Sequence, residues 1–273
     1  MQRAIYQLLK RGLGPVLLVF SALLALIVPG VSAEMTARQV AIAFHKAEAG
    51  QRIDLAGKDL SDLDLAGIDF KSANLAGANF YGVDLAKANL SGTDLSGARL
   101  DRAVLTRTNF KGANLEGASI LKPSVFSSPD FDIAEAPSFE GAKMKGSRIA
   151  ARMDGANFRG ADLSGARIGP FDMSVEAGLA PSSMMKSVDF SGASLEGAEI
   201  RNVNFTFARF TGARLKGARL VALDLTNTDF TDADLTDADL TRCILHGAQF
   251  AGAKGLDSVK GFETSSNAGR LQR

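Results

Sequence analysis

The chain has 273 residues, is 46% hydrophobic without a tryptophan, and carries 31 Lys plus Arg against 30 Asp plus Glu. That composition fits one globular or solenoid domain and excludes a disordered chain, while the near-zero charge balance argues against a general nucleic-acid binder. One cysteine excludes an internal disulfide, and two histidines leave almost nothing for a His-based triad or a two-histidine metal site.

Residues 1–33 differ in kind from the rest of the chain. Arg3, Lys10 and Arg11 precede an apolar run, Val16 to Val28, and then comes Pro29-Gly30-Val31-Ser32-Ala33. This is the three-part layout of a secretory signal, with small residues at Val31 and Ala33 where a signal peptidase reads. It predicts a periplasmic or secreted protein cleaved before Glu34. A rival reading keeps residues 12–33 as an inner-membrane anchor, since that stretch is uncharged and long enough to span, although the apolar run proper falls short of a hydrocarbon core about 30 Å thick. Either way the positive flank stays inside and the rest is exported. Cleavage would leave 28 basic against 30 acidic residues, close to neutral.

Residues 34–50 read as a short capping helix. Thr36-Ala37-Arg38-Gln39 has the form of a capping box, Val40, Ala43, Phe44 and Ala47 share one face, and Gly50 can end the helix. His45 reads as a solvated helix residue.

From residue 51 to 253 a large apolar residue recurs every five positions. The beat runs from Leu55 to Ile120 for fourteen hits and from Phe190 to Phe250 for thirteen more. A helix would spread such residues around its circumference, and a flat strand would alternate them between faces. Only a chain that bends the same way every five residues keeps them inside. The residue two before each centre is Ala at 15 of these 27 places, the residue just before it is commonly Asp or Asn, and Gly often lies two after, where a tight turn needs positive φ. Phe190, Phe210, Phe230 and Phe250 add a second period of twenty. Four pentapeptides therefore make the four sides of one coil, and the phenylalanines form one interior ladder: an all-β square solenoid.

The middle is irregular. The beat stops after Ile120, resumes at Phe139, Met144 and Ile149, slips by one residue, and runs through Met153, Phe158, Leu163 and Ile168. Two inserts are expected, at 121–137 and 169–182. Seven centres lie between their points of departure, which places them at adjacent corners. Each carries an aromatic, an acid and a second acid in the same order: Phe131, Asp132 and Glu135 in the first, Phe171, Asp172 and Glu176 in the second. They are either tolerated corner insertions or a partner-binding patch on a rigid scaffold. Residues 254–273 read as a carboxyl-terminal cap followed by a polar tail.

Repeats such as Ala73-Asn74-Leu75, Ala78-Asn79-Phe80 and Ala233-Asp234-Leu235 resemble the pentapeptide-repeat family. That resemblance implies a right-handed quadrilateral β-helix. It also implies one candidate function, because some members bind DNA gyrase as mimics of duplex DNA. Against that stand the export signal and the coil period, which sets Arg209 beside Asp229, Arg214 beside Asp234 and Arg219 beside Asp239; alternating charges make a poor phosphate mimic. The Asp-rich run from Asp224 to Asp239 could suggest calcium, but successive pentapeptides point their acids away from different walls. Cys243 takes an inward position and reads as an inert buried thiol, while His246 should face solvent. The chain is therefore read as an exported, non-enzymatic structural or protein–protein interaction module with no cofactor, metal or small-molecule substrate, whose partner is a protein of the cell envelope.

Overall fold

The computed structural model describes residues 34–48, 51–70, 72–128, 130–171, 183–262 and 265. The signal or anchor reading of residues 1–33 thus lies outside the described residues, as does Gly50.

Each five-residue unit makes one side of a coil, and its backbone bonds run to the coils on either side. Asn74 donates its N–H to Ile53 O at 2.8 Å, Leu75 donates to Asp94 O at 2.7 Å, and Gly77 donates to Ser96 O at 2.7 Å. Parallel bridges at Asp54–Asn74, Asp59–Asn79, Asp64–Asp84 and Asp69–Asn89 set four walls with a twenty-residue coil. At the corner, Ala78 N–H closes a turn on Leu75 O at 3.1 Å. In the regular coils the position two after a centre is left-handed whether or not it is glycine, with φ of 65° at Gly77 and 59° at Lys87. The chain is a right-handed quadrilateral β-helix.

We number the walls by their centres: wall one carries Phe70 and Phe110, wall two Leu75, wall three Phe80 and Ile120, and wall four Leu85. Every expected centre from Leu55 to Ile120 and from Phe190 to Phe250 is buried, and the small residues two before them line the same interior. On wall one the rings of Phe110, Phe139, Phe158, Phe190, Phe210, Phe230 and Phe250 stack, with centroids 4.8 to 5.1 Å apart. Each such side chain contributes about 1.5–3 kcal/mol gross before chain entropy is subtracted.

The helix α1, Ala37–Lys46, covers the amino-terminal end. Thr36 and Gln39 form the expected capping box, Val40 and Phe44 are buried, and the helix ends at Lys46 with Ala47 as its cap. Phe44 meets Phe70 edge-on at 5.0 Å. At the other end Phe262 meets Phe250 edge-on at 5.8 Å, after a 3-10 turn at Leu256–Ser258.

The middle corrects the expected insert boundaries. Strand β1, Ser119–Leu121, pairs with β2, Arg148–Ala150, and the coil continues beyond Ile120: Ser124 bridges Val104, and Val125 is a buried centre of wall four. In a regular coil Lys87 N–H bonds Thr106 O at 2.8 Å; the equivalent Arg107 N–H bonds Glu135 O at 2.7 Å. Glu135 therefore takes the place after Val125, and the first insert is the nine residues Phe126 to Ala134 rather than 121–137. The one-residue slip falls between Ile149 and Met153, so that Ser138 bridges Asn157. Strand β3, Arg167–Ile168, pairs with β2, and Gly169 stays on wall three, its N–H bonding Ile149 O at 2.8 Å. Strand β4, Ser183–Met184, resumes wall four and pairs with β6, Val203–Asn204. Wall three continues through β5, Glu199–Arg201, and β7, Arg219–Val221, in a five-stranded parallel sheet ordered β1-β2-β3-β5-β7.

Candidate functional site

The outward Asp and Asn residues are occupied in building corners. Asp229, Asp234 and Asp239 each accept the backbone N–H two residues on, at 2.9, 3.0 and 3.0 Å. The hydroxyl and then the N–H of Thr236 hold the Asp234 carboxyl below its ordinary range. Among the described residues no group of three or more His, Cys, Asp or Glu could hold a metal ion. Arg209, Arg214 and Arg219 do bridge Asp229, Asp234 and Asp239 along the backbone. Their guanidinium groups nevertheless turn to the preceding coil, reaching Asp189 at 4.0 Å, Glu196 at 3.1 Å and Glu199 at 3.2 Å.

Cys243 is buried, its Sγ donates to Leu220 O at 3.0 Å, and burial pushes its pKa up to about 12. A thiol in that state is a poor nucleophile and a poor metal ligand at neutral pH. His45 and His246 are both exposed.

The first insert forms a 3-10 turn at Ile133–Glu135, with Asp132 as its cap, accepting Ala134 N–H at 2.9 Å. The Glu135 carboxylate accepts the Ser127 N–H at 2.7 Å and the Ser127 hydroxyl at 2.5 Å. Both acids thus shape the loop itself. Phe131 meets Phe126 edge-on at 5.6 Å and lies under the Arg152 guanidinium, 3.4 Å from ring centroid to Cζ. In the second insert Phe171 lies under Arg167 at 4.2 Å, with Arg201 at 5.5 Å; Asp172 and Glu176 lie outside the described residues. Each insert's phenylalanine is therefore placed against an arginine of the wall. The first insert leaves between walls four and one, the second between walls three and four. The corners are adjacent, and wall four lies between them.

The first of these corners carries an apolar surface of which the sequence singled out Phe131 but neither Ile133 nor Phe207. Ile133 is 59% exposed, Phe207 58% and Phe131 37%. Ile133 packs over Gly155, where an added Cβ would meet Ile133 Cβ at 2.7 Å. Gly155 and Phe207 both lie two residues after wall-four centres, Met153 and Phe205, so they share one corner with Ser187 between them. Phe207 has φ 61°, in a slot that glycine takes in many other pentapeptides; a bulky residue there is the signal the sequence did offer.

The family model described as "Pentapeptide repeats" matches in eight copies, over residues 53–92, 84–120, 149–168, 185–220 and 218–254. No curated protein sequence matches the chain. Among solved structures, HetL, a pentapeptide-repeat protein involved in heterocyst differentiation regulation from the cyanobacterium Nostoc, is 22% identical over 85% of this chain and 96% of its own, with a TM-score of 0.33. QnrB1, a plasmid-mediated fluoroquinolone resistance protein, is 18% identical over 76% of this chain and 95% of its own, with a TM-score of 0.41. A pentapeptide-repeat protein of the Arabidopsis thaliana thylakoid lumen is 28% identical over 46% of this chain and 69% of its own, with a TM-score of 0.25.

Proposed function

The chain belongs to the pentapeptide-repeat family, and on that premise we propose that it is an exported, non-enzymatic interaction module that holds a protein partner of the cell envelope against the corner built by Phe131, Ile133 and Phe207. The observation that carries this reading is the exposure of those three side chains along one corner of a solenoid whose other turns are largely polar or glycine. Exposed apolar side chains gathered on a rigid scaffold favour binding, because the scaffold lowers the ordering cost and the rings anchor the contact. Phe171 stands at the other corner of wall four, with Asp172 and Glu176 next to it in the chain. Export rests on the layout of residues 1–33, acting as a cleaved signal.

Two measurements test this proposal. A reporter fused after residue 33 should be exported, and the mature chain should begin at Glu34; a reporter that stays in the cytoplasm refutes export. Changing Phe131, Ile133 and Phe207 together to Ser should abolish partner capture from crosslinked envelopes with the melting temperature held. Undiminished capture refutes the corner.

A further inference from the structure

Wall three carries a groove of about 360 Å³ that lies apart from the apolar corner. The residue after each centre explains why it exists. That position is Tyr81, then Asp101, then shrinks through Leu121 to Ala150 and Gly169, and returns to bulk at Arg201. The groove thus has a floor of small and apolar side chains, with Tyr81 at one end and Phe171 at the other.

Its charge is one-sided. Among the described residues five cations line it, Arg99, Arg102, Lys122, Arg148 and Arg167, against one carboxylate, that of Asp101. Asp101 is taken by Arg99, at 2.9 Å. The arginines are also braced: Arg99 and Arg102 lie over the Tyr81 ring at 4.5 and 5.9 Å, and Arg167 lies over Phe171 at 4.2 Å. A guanidinium stacked on a ring keeps its in-plane N–H donors free and loses less entropy on binding an oxyanion.

The decisive feature is register. Arg148 and Arg167 are direct partners on the parallel strands β2 and β3, about 4.8 Å apart as neighbouring strands are. Like charges side by side on adjacent strands are destabilising. Arg167 has Glu199 at 3.4 Å, but Arg148 has no carboxylate within 4.0 Å among the described residues. Elsewhere on this wall the basic residue has an acidic neighbour, as Arg219 has Glu199. A like-charge pair of which one member is left without a carboxylate, beside a cavity, is the pattern of a site that gives up stability for a ligand.

We propose that the groove binds a small organic polyanion carrying two or more phosphate or carboxylate groups, with one group shared by Arg148 and Arg167 and another met by Arg102. The volume suits a molecule of metabolite size rather than a polymer, and paired guanidinium groups suit either oxyanion by bidentate bonds. This inference does not rest on the apolar corner and stands whether or not that corner binds a protein.

The test is calorimetric titration of the full chain with inorganic pyrophosphate and, separately, with citrate, in a low-salt, phosphate-free buffer. The expected result is saturable binding of one anion per chain, with a change in Tyr81 emission, which only Tyr6 accompanies in a chain without tryptophan. Preference for pyrophosphate identifies a phosphate ligand, and preference for citrate a carboxylate. Arg148→Gln and Arg167→Gln should each weaken binding about tenfold, and Arg219→Gln, on the same wall outside the groove, should leave it unchanged. Arg148→Gln should melt no lower than the parent, since the side chain is exposed and the like-charge pair is gone, and Arg167→Gln should melt within a few degrees of it, since the exposed pair with Glu199 is worth at most about 1 kcal/mol. Lack of saturable binding by either probe, or equal binding by the double Arg148→Gln, Arg167→Gln variant, overturns the proposal.

Discussion

The ring of Phe139 lies 4.9 Å from that of Phe110, with 1° between their planes, although 29 positions separate them rather than the twenty of a regular coil. The extra nine residues leave the interior stack undisturbed because the wall bonds form on either side of them, at Leu105 N–H to Ser124 O before and Arg107 N–H to Glu135 O after, both 2.7 Å. The solenoid is thus held by backbone register and centre packing, and its corners are free to carry other chain.

Excision of the first insert tests that independence. Removing Phe126 to Ala134, with Ala136→Gly to supply the left-handed turn residue, should restore a five-residue side and leave the melting temperature within about 5 °C of the parent, since shortening a surface loop changes closure entropy little. A differential scanning calorimetry trace showing loss of the transition would contradict the assigned boundary.

Phe210 packs between Phe190 at 4.9 Å and Phe230 at 5.1 Å, with Phe205 edge-on at 5.6 Å. Phe210→Ala should cost about 3–5 kcal/mol in denaturant unfolding. Phe210→Asp, which buries a charge, should unfold the last block outright. Retention of the parent's β-rich circular dichroism and melting temperature by the Asp variant would refute the interior placement.

Ser147 is fully buried, and its hydroxyl lacks a hydrogen-bond partner among the described residues. Comparable inward side chains are satisfied: Thr108 donates to Leu85 O at 2.9 Å and Thr228 to Phe205 O at 3.1 Å. Replacing Ser147 by Ala, the usual residue at this position, should stabilise the chain by about 1 kcal/mol. A drop in stability of that size would mean that the hydroxyl is bonded after all.

Acid should weaken the corners. Asp59, Asp162 and Asp234 are held below the ordinary carboxylate range, first by the hydroxyls of Ser61, Ser164 and Thr236 and also by the N–H groups of those residues. A carboxyl whose folded value is depressed stabilises the fold above its unfolded value, about 3.9, and that contribution is lost as pH falls through the lower folded value. The melting temperature should therefore hold between about pH 5 and 7 and fall below about pH 4. An unchanged melting temperature at pH 2.5 would show that these carboxylates do not brace the turns.

The fold was legible because its period of five is written into side-chain size, which the interior enforces at every coil. Val125 was harder to recognise: Pro123-Ser124-Val125-Phe126-Ser127 lacks the small inward residue and the turn glycine, yet the coil accepts it because Ser124 joins through its carbonyl, receiving Leu105 N–H at 2.7 Å. Which carboxylate an arginine meets was not readable either. The period gives every arginine a neighbour in the coil before and the coil after, and the choice depends on rotamers. The candidate site was legible only in part. Phe131 and Phe171 stood out as aromatics in corner inserts, whereas the groove on wall three depends on five coils whose middle ones are displaced from the even period by two inserts and a slip.

The most direct test of the proposed function places a photo-crosslinking benzoylphenylalanine at Phe207, at Phe131 and, as a control, at exposed Lys216 on wall two, with irradiation of intact cells. Phe207 and Phe131 should give one common adduct in the envelope fraction, and Lys216 should not give it. Adducts from Lys216 alone, or the same adducts from all three positions, would contradict a partner held at that corner.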